Sequence, residues 1–147
     1  MSEIESVVSS FKEGFSCSQS VVVPYAAHFG LSREVVLRIS AGFGGGMGRM
    51  AGICGAVTGA FMVIGLKYGG VSADDKKAKE RTYRHVREFA NRFKARNGVI
   101  TCKELLGCDI GLPSGMEMAK EKNFHTTVCP KFVKDAAEIL EDLIDWD

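Results

Sequence analysis

The sequence has no Cys-x-x-Cys pair, no Cys-x-x-Cys-His, no Gly-Lys-Ser/Thr and only one tryptophan. The first absence removes a thioredoxin-like motif and a standard zinc ribbon. The second removes c-type haem attachment. The third removes a Walker phosphate loop. Net charge is +1 over 147 residues, so the chain as a whole gives no argument for nucleic acid or a membrane surface. Long apolar runs are also missing. The stretch from Met50 to Leu66 carries no charge, but its 17 residues sit at the short limit for a span, which wants roughly 20. The start, "MSEIESVVSSFKEGF", has early acids and no apolar signal core. It also lacks the Arg-rich, acid-poor look of a transit peptide, and so predicts a cytoplasmic protein.

What is abundant is glycine. "GFGGGMGRMAGICGAVTGAF", residues 42–61, holds eight glycines around Cys54. Glycine loses the most backbone entropy on folding, so the run calls for a reason. A phosphate loop is one: "GMGRMA" matches a loose GxGxxA, but that fingerprint needs a preceding strand and the segment before it reads as helix. A membrane helix is another, with Gly55 and Gly59 as a small-xxx-small pair. Close approach is the third. Ala51, Gly55 and Gly59 recur every fourth residue, as do Gly52, Ala56 and Ala60. Two smooth faces would let neighbouring helices, or a bound group beside Cys54, come near. They would also suit a homodimer.

Apolar spacing predicts an all-α fold: one compact domain over 1–147, a bundle of about six to eight helices with a central Gly/Ala-rich helix over Met50–Leu66. Further helices are expected over 3–15, from Cys17 to Phe29 with Pro24 as an obstacle, and after Ser32 with Val35, Val36 and Ile39 on one face. Ser72 with Asp75 reads as a capping box opening a long helix with Tyr83, Val86, Phe89 and Phe93 inside. Short helices are expected after Thr101 and at Pro113, and a last one at Cys129-Pro130.

Five cysteines, Cys17, Cys54, Cys102, Cys108 and Cys129, are an odd number in a chain expected in a reducing compartment. Ser16 with Gln19, and Thr101 with Glu104, form capping boxes that put Cys17 and Cys102 at first helical positions. Cys129 precedes a proline that favours the same position, and Cys54 lies just past the glycines. A helix N-terminus carries free amides and about half a positive charge. Both lower a thiol pKa from about 8.5, and thiolate is the form that attacks disulfides and binds metal. Each cysteine alone also fits as a small buried hydrophobe.

Cys17, "CGAVTGA" at Cys54, "TCKELLG" around Cys102 and "CPKFV" at Cys129 together resemble the C_GCAxxG_C_C family of redox-active proteins over nearly the whole chain. The resemblance implies a small helical domain whose site is Cys17, Cys54, Cys102 and Cys129. Cys108 is then extra: a packed thiol, or else a resolving thiol or alternate ligand six residues from Cys102. The expected chemistry is redox. Either the four thiolates ligate an iron–sulfur cluster, with Gly52, Gly55 and Arg49 beside it, or they cycle between dithiol and disulfide with a thiol such as Cys17 or Cys102 attacking. Structural zinc on the same four cysteines is the first alternative. A non-catalytic module is the second, using the 73–98 helix, where nine basic residues outnumber four acids. A redox partner protein is expected, with no nucleic acid and no membrane span. His125, four residues before Cys129, reads as a polar loop residue or a substitute ligand.

Overall fold

Ser16 and Gln19 start the frame on which the site is built. The Gln19 amide donates to Ser16 Oγ at 3.3 Å, and the Ser16 amide donates to Gln19 Oε1 at 3.1 Å. This reciprocal box opens α2 (Cys17–Ala26) with Cys17 as its first residue. The computed structural model describes residues 2–146. Before α2 lies α1 (Ile4–Lys12), which buries Val7 and Phe11 and turns at Gly14. The helix α2 runs through Pro24 and ends in a 3₁₀ turn over Ala27–Phe29. Ser32 caps α3 (Arg33–Ser40) by accepting from the Val35 amide at 3.1 Å. Of the expected α3 face only Val36 is buried, and Val35 and Ile39 face solvent.

The central helix α4 covers Gly55–Tyr68 and buries Ala56, Val57, Gly59, Ala60, Val63 and Ile64. It begins five residues later than the expected Met50. Residues 50–54 are not helical, and Met50 is 73% exposed. The backbone handedness before it explains the late start. Gly45, Gly46, Met47, Gly48 and Arg49 all carry φ between 63° and 67°, a left-handed turn, and Ala51 follows at 59°. L-residues resist this conformation by roughly 1–2 kcal/mol each, and glycine does not. Apolar content alone cannot show the difference.

The long helix α5 (Lys76–Asn97) is capped by Asp75, whose Oδ1 accepts from the Ala78 amide at 3.0 Å. The expected Ser72–Asp75 box does not form, because Asp75 is itself the cap and Ser72 Oγ accepts from Asp74. Ala78, Phe89 and Phe93 are buried, whereas Tyr83 is exposed. Then follow α6 (Cys102–Leu106), α7 (Pro113–Glu121) and α8 (Cys129–Leu143). Among the described residues these eight helices are joined by shorter turns, with no strand beyond a single bridge between Ile53 and Thr101.

The core forms where α4 meets α2 and α5, and where α8 packs on α1, α2, α4 and α5. Phe11, Tyr25, Val57, Phe89, Phe93, Val133 and Leu140 lie within it. Burying such side chains stabilises by about 1.5–3 kcal/mol each, as an upper range. The Gly55/Gly59 face of α4 is smooth because α2 crosses there. A Cβ on Gly59 would meet Ser18 O at 2.9 Å, and one on Gly55 would meet Ser18 N at 2.9 Å and Cys17 Cβ at 3.1 Å.

Candidate functional site

Two backbone ties bring Cys54 and Cys102 together. The Cys54 amide donates to Ile100 O at 2.8 Å, and the Cys102 amide donates to Gly52 O at 2.6 Å. The Lys103 amide also donates to Ala51 O at 3.2 Å. The left-handed turn is thereby stitched to the start of α6. Gly46 sits at the tightest point. A Cβ there would lie 2.6 Å from Gly52 N and 2.8 Å from Cys102 Cβ. Five of the eight glycines are thus explained: positive φ at Gly45, Gly46 and Gly48, and close approach at Gly46, Gly55 and Gly59.

Cys17 reaches the same place from α2, whose approach to α4 depends on Gly55 and Gly59. Cys129 reaches it from the first turn of α8. The four sulfur residues line one cavity of about 770 Å³. Gly55 and Arg49 line it too. Gly52 does not; its part is the backbone tie to Cys102 and a 2.8 Å bond from its own amide to Gly46 O. Cys108 is half-buried and is not among the lining residues.

His125 was the residue whose setting the sequence told least. It lines the cavity, and its ring stacks on Phe11 with centroids 4.3 Å apart. The spacing to Cys129 pointed at it, but nothing in the sequence pointed to Phe11.

The thiols are not equivalent. Cys17 interacts with both Cys129 and Cys54. Hydrogen bonding to Cys129, then to Cys54, together with burial, holds the Cys17 proton on and raises its pKa well above the ordinary value. Cys54 moves down, first because the Cys17 thiol donates to it and then because the Ala56 and Val57 amides favour its anion, with burial opposing. Cys54 is the N-cap of α4, and its side chain closes no capping bond of ordinary geometry; the field of the free amides carries this effect. Cys129 also moves down, chiefly through Cys17, against burial and the charge of Cys54. A thiol has one S–H, so Cys17 steadies one neighbour at a time and the three titrate as a group. Burial pushes Cys102 up to about 12, with the charges of Cys54 and Cys129 adding to it.

Position at a helix start therefore does not decide the thiolate. Cys17 begins α2 in a complete capping box, yet it is the proton donor of the set. The thiols that favour ionisation are Cys54 and Cys129.

Four sulfurs are a soft donor set of the kind that zinc and iron–sulfur clusters take. Their spacing is another matter: among the described residues no group of three or more His, Cys, Asp or Glu is placed to hold a metal ion. Among the same residues no helix is long and apolar enough to cross a membrane. The long α5 keeps its basic residues largely exposed, with Arg96 reaching Asp135 at 3.2 Å and Glu138 at 2.7 Å on α8.

The family model described as "Putative redox-active protein (C_GCAxxG_C_C)" matches residues 15–143. That span opens two residues before Cys17 and closes at the last residue of α8. No curated protein and no solved structure matches the chain significantly.

Proposed function

Since the chain belongs to the C_GCAxxG_C_C family, we propose that its redox activity is thiol–disulfide exchange by the cavity cysteines. The observation that carries this reading is the convergence of Cys17, Cys54 and Cys129 on one cavity, where Cys17 interacts with both of the others. An exchange site needs an attacking sulfur with access and a second sulfur beside it to resolve the mixed disulfide. Cys129 is part-exposed at the first turn of α8, whereas Cys54 is 4% exposed. Cys129 is therefore the attacking thiol and Cys17 the resolving one. Cys54 is a second acceptor for the Cys17 proton. Cys102 closes the cavity wall, and burial keeps it a thiol.

The second reading is an iron–sulfur cluster on Cys17, Cys54, Cys102 and Cys129, supported by all four lining one cavity. We rank it second to exchange, which the interaction of Cys17 with Cys129 and Cys54 supports. Structural zinc uses the same four residues. A redox partner protein, a homodimer through the Gly/Ala faces and an interaction module on α5 stand as further proposals. The homodimer competes with the packing already made, since α2 covers Gly55 and Gly59.

Protein purified without oxygen decides among them. Exchange predicts a colourless, metal-free protein in which mild oxidation forms one disulfide, mapped by mass spectrometry to Cys17 and Cys129. A brown protein with iron and acid-labile sulfide replaces this reading with the second. Stoichiometric zinc with no titratable dithiol removes the redox proposal.

A further inference from the structure

The cavity in front of the thiols has a charge of one sign. Arg49 from the left-handed turn and Lys120 from α7 line it, with His125 near Cys129. Among the described lining residues there is no Asp and no Glu. Asp109, close enough to influence Cys102, is turned away: its Oδ1 accepts from the Gly111 amide at 2.8 Å, and it does not line the cavity. A second cavity, of about 690 Å³ on the α1 side, mixes the signs, with Glu3, Glu5 and Glu13 beside Arg33 and His28 in its wall. The thiol cavity thus carries charge of one sign on a chain whose net charge is only +1.

Much of the rest of the wall is apolar, with Leu105, Leu106, Ile110, Met116, Phe124 and Phe132 in it, beside the polar Ser16, Gln19 and Asn123. A volume of about 770 Å³ lies within the range of small-molecule sites, roughly 300–1,000 Å³. It is too small for a folded domain to enter. A group that reaches Cys129 must therefore be a small molecule or a single extended strand. Cations at the rim over an apolar wall select an anion with a carbon skeleton. Clefts lined by one sign of charge raise the local concentration of the opposite sign.

We propose that this cavity binds a small organic disulfide bearing carboxylates, with Arg49 and Lys120 holding the carboxylates and the apolar wall holding the chain between them. The proposal rests on the exchange reading above and names its substrate class. The Cys129 thiolate attacks one substrate sulfur, a protein–substrate S–S bond forms, and the substrate S–S bond breaks. The first half leaves as a thiolate and is protonated. Cys17 gives up its proton and attacks the mixed disulfide, releasing the second half as a thiol. The substrate gains two electrons and two protons and becomes two thiols, while Cys17 and Cys129 are oxidised to one disulfide.

Two measurements keep the binding claim apart from the chemistry. Calorimetry of the reduced protein with S-methylglutathione, an anionic thioether that cannot exchange, reads the cavity alone. Binding is expected, weakening with added salt and about tenfold weaker in Lys120→Glu. Absence of binding overturns the cavity proposal and leaves exchange standing. Thiol consumption is then followed with three disulfides: glutathione disulfide (anionic), bis(2-hydroxyethyl) disulfide (neutral) and cystamine (cationic). The anionic compound is expected to react about tenfold or more faster than the cationic one, with the ratio falling toward one in Lys120→Glu. Equal rates for all three overturn the anion preference. No reaction with any of them, alongside intact S-methylglutathione binding, removes the exchange reading and keeps the anion site.

Discussion

The close crossing of α2 and α4 can be tested with two substitutions of one kind in one helix. Gly59 and Gly65 both lie inside α4. Replacing a mid-helix glycine by alanine stabilises by about 0.8–1 kcal/mol when the methyl has room. At Gly65 nothing lies within 4 Å of the new Cβ, so Gly65→Ala should realise that gain. At Gly59 the methyl would sit 2.9 Å from Ser18 O, 3.2 Å from Ser18 Cα and 3.3 Å from Val21 Cβ. The nearest atoms are backbone and cannot swing aside, and overpacking of this kind costs about 1–3 kcal/mol. The propensity gain then offsets only part of the loss. Gly59→Ala should be less stable than Gly65→Ala by about 1–3 kcal/mol, a gap of several degrees in melting temperature at roughly 2–4 °C per kcal/mol. Urea unfolding of both variants beside the parent, with slopes compared to exclude a change in the unfolded state, gives the difference directly. If the two variants are equally stable, α2 does not cross α4 where we place it. Cys17, which α2 carries, would then have no reason to stand beside Cys54.

Gly46→Ala and Gly48→Ala both place a side chain at positive φ, but only Gly46 is crowded, so it should lose about 1–3 kcal/mol more in the same unfolding assay. Alkylation mapped by mass spectrometry across pH should label Cys129 below the ordinary thiol range, its rate falling as pH drops through the lowered pKa, while Cys102 stays unlabelled at pH values well below about 12; labelling of Cys102 first would contradict the assignment. Burial pushes the Asp135 carboxyl up, but Lys131 at 2.6 Å, Asn97 and Arg96 more than offset it and hold it below the usual range. Its stabilisation is therefore present above the ordinary carboxylate pKa and lost as pH falls through the depressed one, so Asp135→Asn should cost about 2 kcal/mol at neutral pH and flatten the acid limb of the stability curve. Cys108→Ser should leave the mapped disulfide unchanged, since Cys108 does not line the cavity; loss of the Cys17–Cys129 pair in that variant would give Cys108 a part in the exchange.

The all-α class and the helix starts at Ser16, Ser32, Thr101 and Pro130 were legible because capping is local chemistry, written within four residues. Even there the reading had limits. Thr101 accepts from the Glu104 amide as expected, but the Glu104 side chain turns to the Thr101 hydroxyl rather than back to the Thr101 amide. The Ser72 box failed because a better acceptor, Asp75, stood at the end of it. The start of α4 was misplaced because Met50–Cys54 is apolar without being helical, and no periodicity reveals a backbone held by hydrogen bonds to Ile100 and Cys102. The meeting of Cys17 with Cys54 and Cys129 spans more than a hundred residues of chain and was suggested by motif, not by spacing. The division of protons among them depends on which sulfur interacts with both of the others, and that exists only in three dimensions.

The left-handed turn has a consequence for anyone who would rebuild this wall. Its backbone, at φ near +65° from Gly45 to Arg49, is the mirror image of an ordinary helical turn. Stereochemistry thus becomes a handle on the protein. By chemical synthesis, D-alanine at Gly48 would match the native dihedral and restrict the unfolded chain, whereas L-alanine at the same atom count opposes it. Enantiomers of one residue, identical in size and polarity, should move the stability of the cavity wall in opposite directions.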